Sequence, residues 1–136
     1  MSGSQADSLQ EQLRHATALK IDGRYEEAIA EFRGILADNP GCIDARLGLA
    51  LSLCFSGEFD ESLNELKRAV QDGPEHVDAR LNLAKTFAML GMYEEAKEAF
   101  HQVLRLSPGN KEAVKQLAFF EPMGCEESGT SSAGAV

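Results

Sequence analysis

GRYEEAIAEFRGILADNP (Gly23–Pro40), GEFDESLNELKRAVQDGP (Gly57–Pro74) and GMYEEAKEAFHQVLRLSP (Gly91–Pro108) are one pattern written three times. The closing prolines stand at 40, 74 and 108, a spacing of 34 residues. Self-similarity at a fixed period of this size marks a stacked array of small units, not one closed core. Carrying the register backwards gives three copies, Leu9–Cys42, Ile43–His76 and Val77–Asn110. Ala16, Ala50 and Ala84 then share a column, as do Gly23, Gly57 and Gly91. Tyr25, Phe59 and Tyr93 share another, followed by Ala28, Ser62 and Ala96 and by Phe32, Leu66 and Phe100.

Each copy reads as two helices. The glycine marks where the chain leaves one helix and reverses into the next. The proline ends the second helix, because the residue before a proline is pushed out of helical space. Small residues stand where two helices cross closely, and the aromatic columns are expected to fill the layer between helices. Glu27, Glu61 and Glu95 fall in the first turn of the second helix, where a carboxylate complements the helix dipole. Ser8 and Glu11 have the spacing of a capping box. Helices are therefore expected at Ser8–Ile21, Tyr25–Asp38, Ile43–Phe55, Phe59–Asp72, Val77–Leu90, Tyr93–Leu106 and Lys111–Phe120. In the last of these, Ala113, Val114, Leu117 and Ala118 form a dry face, and Pro122 then breaks the pattern.

With this order of small residue, aromatic, small residue and proline, the chain resembles the tetratricopeptide repeat family. The resemblance runs from Leu9 to about Glu121. It implies an all-α fold: an α-solenoid of three helix-turn-helix repeats (9–42, 43–76 and 77–110) with a capping helix at 111–120. Outside that domain, 1–8 reads as a leader and 121–136, rich in Gly, Ser and Thr, as a disordered tail. Two features depart from the family pattern. Arg46 and Arg80 replace a large aromatic in the first turn of the first helix, and the first copy carries Gln12 and His15, as a terminal repeat does.

Composition narrows the function. A net charge of −9, from 22 acidic and 13 basic residues, repels nucleic acid and anionic membrane surfaces. The opening MSGSQADS has no signal-peptide pattern, and the longest apolar run, Leu47–Phe55, is too short to span a bilayer. Cys42, Cys54 and Cys125 form no CxxC, which suits a reducing, cytoplasmic location. His15, His76 and His101 have no second ligand at metal spacing, and no phosphate-binding loop follows any glycine. No enzyme activity, cofactor or metal is expected.

The helix Ile43–Phe55 is apolar on two faces. Leu49, Ala50 and Leu53 form a core stripe, while Leu47, Leu51, Cys54 and Phe55 form a second. A helix apolar nearly all round is fully buried or offers one face to something else. In the family the first helices line the concave surface, so the resemblance makes the second stripe a groove floor. The peptide-binding groove expected here is Leu13, Thr17, Ile21, Leu47, Leu51, Cys54, Phe55, Leu81, Lys85 and Met89. Asp44, Asp78 and Glu112 recur in one column and form its acidic edge. Packing between neighbouring first helices would account for part of the same stripe. Lys85 is the expected neighbour of Cys54, where an ammonium would lower the thiol pKa.

The function expected is a protein–protein interaction module, a scaffold or adaptor holding an apolar or amphipathic peptide segment. The alternative is a self-assembling homo-oligomer. The family's chaperone-tail subclass grips a terminal carboxylate with Lys, Arg and Asn. Its positions fall here on Leu13, Thr17, Gly48, Asp78 and Asn82, so no such grip is expected. Asp38 and Asp72 each precede an arginine, Arg46 or Arg80, by eight residues, and an ion pair is expected within each pair.

Overall fold

The three repeat glycines end their helices by one hydrogen-bonded device. In a computed structural model that describes residues 4–120, Gly23, Gly57 and Gly91 have φ of 83°, 91° and 79°. That is the left-handed region, where a side chain beyond glycine is strained. The Gly23 N–H donates to the Lys20 carbonyl at 3.0 Å and the Arg24 N–H to the Leu19 carbonyl at 2.9 Å. The same crossed pair joins Gly57 to Cys54 and Glu58 to Leu53, then Gly91 to Ala88 and Met92 to Phe87. These are Schellman closures, which satisfy carbonyls a helix end otherwise leaves open.

The turns separate seven helices: α1 (Ser4–Ile21), α2 (Tyr25–Asp38), α3 (Ile43–Phe55), α4 (Phe59–Asp72), α5 (Val77–Met89), α6 (Tyr93–Leu106) and α7 (Lys111–Phe120). No strand occurs among the described residues, and the fold is all-α. Most limits fall where the glycines and prolines place them. The start of α1 does not: the helix begins at Ser4, so Ser8 is an interior residue and caps nothing. No glycine or proline separates Ser4 from Ser8, and Asp7 already places a carboxylate in the first turn. The expected tail, 121–136, lies outside the described residues.

The chain divides into two compact units at Pro74–Glu75, close to the second repeat boundary. In the first, α2 packs between α1 and α3. Its Ile29, Phe32 and Ile35 share one buried cluster with Ala16 and Leu19 of α1 and Ala45, Leu49 and Leu53 of α3. The closest approach is at Gly48, where a Cβ would lie 2.3 Å from the Phe32 ring. Ser62 completes the α3–α4 contact, its hydroxyl donating to the Ala50 carbonyl at 2.7 Å. In the second unit, α5 packs on α6 and α6 on α7. Ala79, Ala84, Thr86, Phe87, Ala96, Phe100, Val103, Ala113 and Leu117 are buried there. In α7, Val114 and Ala118 are exposed, contrary to the dry face expected. Ala113 and Leu117 face inward as expected, joined by Phe120, whose ring lies 5.5 Å from Tyr93 and 6.1 Å from Phe100.

Arg46 explains the missing aromatic of the second copy. Its side chain is only 8% exposed, and it donates to Glu65 Oε1 at 2.7 Å and to the Pro40 carbonyl at 2.9 Å. Asp72 lies 3.9 Å from its Nε. The expected Asp38 partner is replaced by carboxylates of α4, because the guanidinium lies along the α3–α4 contact inside the same repeat. A buried guanidinium needs its donors satisfied, and α4 supplies the acceptors.

Candidate interaction surface

In the first unit the structure gathers part of the expected groove. Leu13, Thr17, Ile21 and Asp44 line a concavity of about 610 Å³ along α1, with Gln10 and Ala18. Leu13, Thr17 and Leu51 are half-buried, while Ile21 is 76% and Phe55 57% exposed. Leu47 and Cys54 do not belong to an open floor, because both are buried. Burial also pushes the Cys54 thiol up, opposite to what a reactive thiolate needs. Lys20, in the Cys54 column, has its pKa lowered by desolvation.

In the second unit Leu81 is half-buried, Lys85 exposed and Met89 55% exposed. Asp78 is exposed and Glu112 half-buried. The Glu112 carboxyl is held below its ordinary value, first by the Gln116 amide, which donates to it at 3.0 Å, then by the charges of Lys85 and Lys115. Asn82 donates its amide to the Asp78 carbonyl at 2.9 Å. A second concavity, about 500 Å³, has an apolar floor of Leu83 and Phe87 beside Arg80. These residues share columns with Leu49, Leu53 and Arg46. The terminal copy has polar residues there: His15 Nδ1 lies 3.4 Å from Glu31 Oε1. His76 Nδ1 accepts from the Ala79 N–H at 3.2 Å and caps α5.

The aromatic column after each glycine does not fill the layer between helices as its size suggests. The structure leaves Phe59 and Tyr93 exposed and Tyr25 half-buried. Their place, first in a helix just after the turn, was the available signal: a residue at a helix end covers less neighbouring surface than one in the middle. Among the described residues no helix is long and apolar enough to cross a membrane.

The tetratricopeptide repeat family model matches residues 19–68 and 53–118. No curated protein matches the chain. Solved structures of similar fold include the first TPR of Spaghetti (RPAP3) bound to the HSP90 peptide SRMEEVD. It is 22% identical with a TM-score of 0.76, and the match covers 82% of this chain and 88% of that one. The second TPR domain of human RPAP3, in complex with the HSP70 peptide SGPTIEEVD, is 24% identical with a TM-score of 0.73. Its coverage is 79% of this chain and 90% of that one. The Yersinia enterocolitica type III secretion translocator chaperone SycD is 18% identical with a TM-score of 0.72, covering 84% and 86%. At these identities the likeness shows the fold.

Proposed function

The chain belongs to the tetratricopeptide repeat family, and from that premise we propose that it is a protein-interaction module whose first helices hold an apolar or amphipathic segment of another protein. The observation that carries this reading is the α1 concavity, with Leu13, Thr17 and Ile21 on its wall and Asp44 at its edge. Leu51 and Phe55 on α3 add half-buried and exposed apolar surface in the first unit, and Leu81 and Met89 on α5 do the same in the second. Asp44, Asp78 and Glu112 favour a segment that carries positive charge. Burying a few large side chains at about 25 cal/mol per Å², less the ordering costs, gives affinities of roughly micromolar strength. As a scaffold or adaptor without catalytic chemistry it would act in a reducing compartment such as the cytoplasm, in keeping with free thiols at Cys42 and Cys54.

Acidic C-terminal peptides of the kind bound by the RPAP3 domains are not the proposed ligands. Leu13 has no donor, and Gly48 lies beneath the Phe32 ring. Asp78 has the wrong sign, and the Asn82 amide is already engaged by the Asp78 carbonyl. Calorimetry with SRMEEVD and with an amphipathic leucine–lysine peptide tests the reading. Saturable binding of the second alone, weakened by Leu51→Glu, is the expected result; binding of SRMEEVD alone would refute it. A second reading, self-association, draws on Val114 and Phe119 of α7, which are both exposed. Sedimentation at two protein concentrations distinguishes it, a concentration-dependent mass being its signature.

A further inference from the structure

We propose that the edge formed by the helix-to-helix turns of the first unit is itself a docking surface, and that its occupant is a basic amphipathic segment of another protein. The inference rests on the interaction-module reading and moves its centre from the groove wall to the turn edge. Ile21 and Tyr25 flank the Gly23 turn, and Phe55 and Phe59 flank the Gly57 turn, in the same two repeat columns. Each Schellman closure reverses the chain within three residues, so the last side chain of one helix and the first of the next stand at one end. The Tyr25 and Phe55 rings, 5.5 Å apart and tilted by 37°, join the two turns into one patch.

The core does not require these side chains to be apolar. Leu19 and Leu53, two residues before Ile21 and Phe55, are the buried members of the same turns. Of eight large hydrophobic residues exposed among the described ones, five stand in the two columns flanking the turns: Ile21, Phe55, Phe59, Met89 and Tyr93. Scattered exposed apolar residues need no explanation, but adjacent ones at recurring positions mark a contact surface.

Charge selects the partner. Arg24 is held by Glu27, at 2.5 and 2.7 Å, and Arg33 by Glu61. Glu26, Glu58 and Asp60 keep carboxylates without an ion pair among the described residues, and Asp22 faces an Arg24 that Glu27 already holds. Against Lys20 beside Ile21, the residues adjoining the patch in sequence thus carry an excess of carboxylates, and the whole chain carries −9. A second copy of this chain brings the wrong sign, as does a nucleic acid or an anionic membrane. A segment with leucine-like side chains on one face and Lys or Arg beside them fits both features. Its cations would meet the carboxylates and the faces of Tyr25 and Phe59.

The test uses the full chain and a fluorescein-labelled amphipathic peptide of leucine and lysine, read by anisotropy. Phe59→Ser with Asp60→Lys alters only the edge; Leu51→Glu alters only the groove. The double edge variant is expected to lose roughly tenfold or more in affinity, as truncated interface aromatics do, while Leu51→Glu loses less. Unchanged thermal melting of the edge variant shows that folding is not the cause. A lysine–serine peptide of equal charge should bind weakly, and a leucine–glutamate peptide should not bind. Retained binding by the edge variant with loss in Leu51→Glu overturns the edge and leaves the interaction-module reading standing. Equal binding of the leucine–glutamate peptide overturns the charge of the partner, and no saturable binding by the unaltered chain overturns both proposals.

Discussion

Replacing Gly48 by alanine sets two effects against each other, and the structure decides between them. Gly48 is buried inside α3, where alanine is the better helix former by about 1 kcal/mol. On propensity alone, Gly48→Ala would stabilise the protein. The new methyl, however, would lie 2.3, 2.4 and 2.8 Å from three carbons of the Phe32 ring. Carbon atoms pack at about 3.5–4.0 Å, so the ring would have to retreat by more than an ångström. Phe32 is 1% exposed and is walled in by the α1–α2–α3 cluster. Overpacking of this kind costs about 1–3 kcal/mol, and a clash this deep belongs near the upper end. The net expectation is a loss of about 2 kcal/mol, which lowers the melting temperature by roughly 8 °C in a domain of this size. Urea unfolding followed by circular dichroism measures it. Phe32→Leu imitates Leu66 of the next copy, so the double variant should fall short of the summed single losses. Gly48→Ala at or above the stability of the unaltered chain would refute the packing of α2 on α3.

Glu65→Ala should cost about 2 kcal/mol, because it removes the nearest carboxylate from the buried Arg46 guanidinium and leaves it only the Pro40 carbonyl and the more distant Asp72. Replacing both Arg46 and Glu65 by leucine should recover most of that loss, and a double variant no better than the single contradicts the pairing. Gly57→Ala meets no atom within 4 Å of its Cβ, so its effect comes from the backbone alone at φ 91°. A loss of about 1 kcal/mol is expected in the urea midpoint, with Gly57→Asn milder; no loss would mean the turn is not left-handed. Glu112, whose folded pKa is depressed, contributes stability above the ordinary carboxylate pKa of about 4.3 and loses it as pH falls through the folded value. Glu112→Gln should therefore flatten the acid limb of the stability profile, and an unchanged limb speaks against the Gln116 contact.

Helix limits were legible because glycine and proline act through the backbone alone. A left-handed φ at Gly57 or the block at Pro74 does not depend on what packs nearby. The start of α1 was not legible, since a Ser-x-x-Glu pattern is equally at home inside a helix when nothing upstream stops it. Side-chain partners were harder still. Arg46 and Asp38 share a spacing with Arg80 and Asp72, but spacing does not say which way a long side chain turns. The Arg46–Glu65 pair crosses from α3 to α4 over 19 residues. The fit of Phe32 over Gly48 is a property of two helices brought together, and neither residue betrays it alone. Within the groove, Leu47 and Cys54 could not be separated from Leu51 by periodicity, because all three lie on one stripe. Only the packing of neighbouring helices distinguishes the buried from the open positions.

The most direct measurement of the central claim is amide chemical-shift mapping of the labelled chain during titration with the leucine–lysine peptide. Saturable shifts on the first helices α1, α3 and α5 and at the Gly23 and Gly57 turns, with Ile21, Tyr25, Leu51, Phe55 and Phe59 among the largest, are the predicted result. Shifts centred instead on the outer faces of α2 and α4, at residues such as Arg33 and Asn64, would contradict the account.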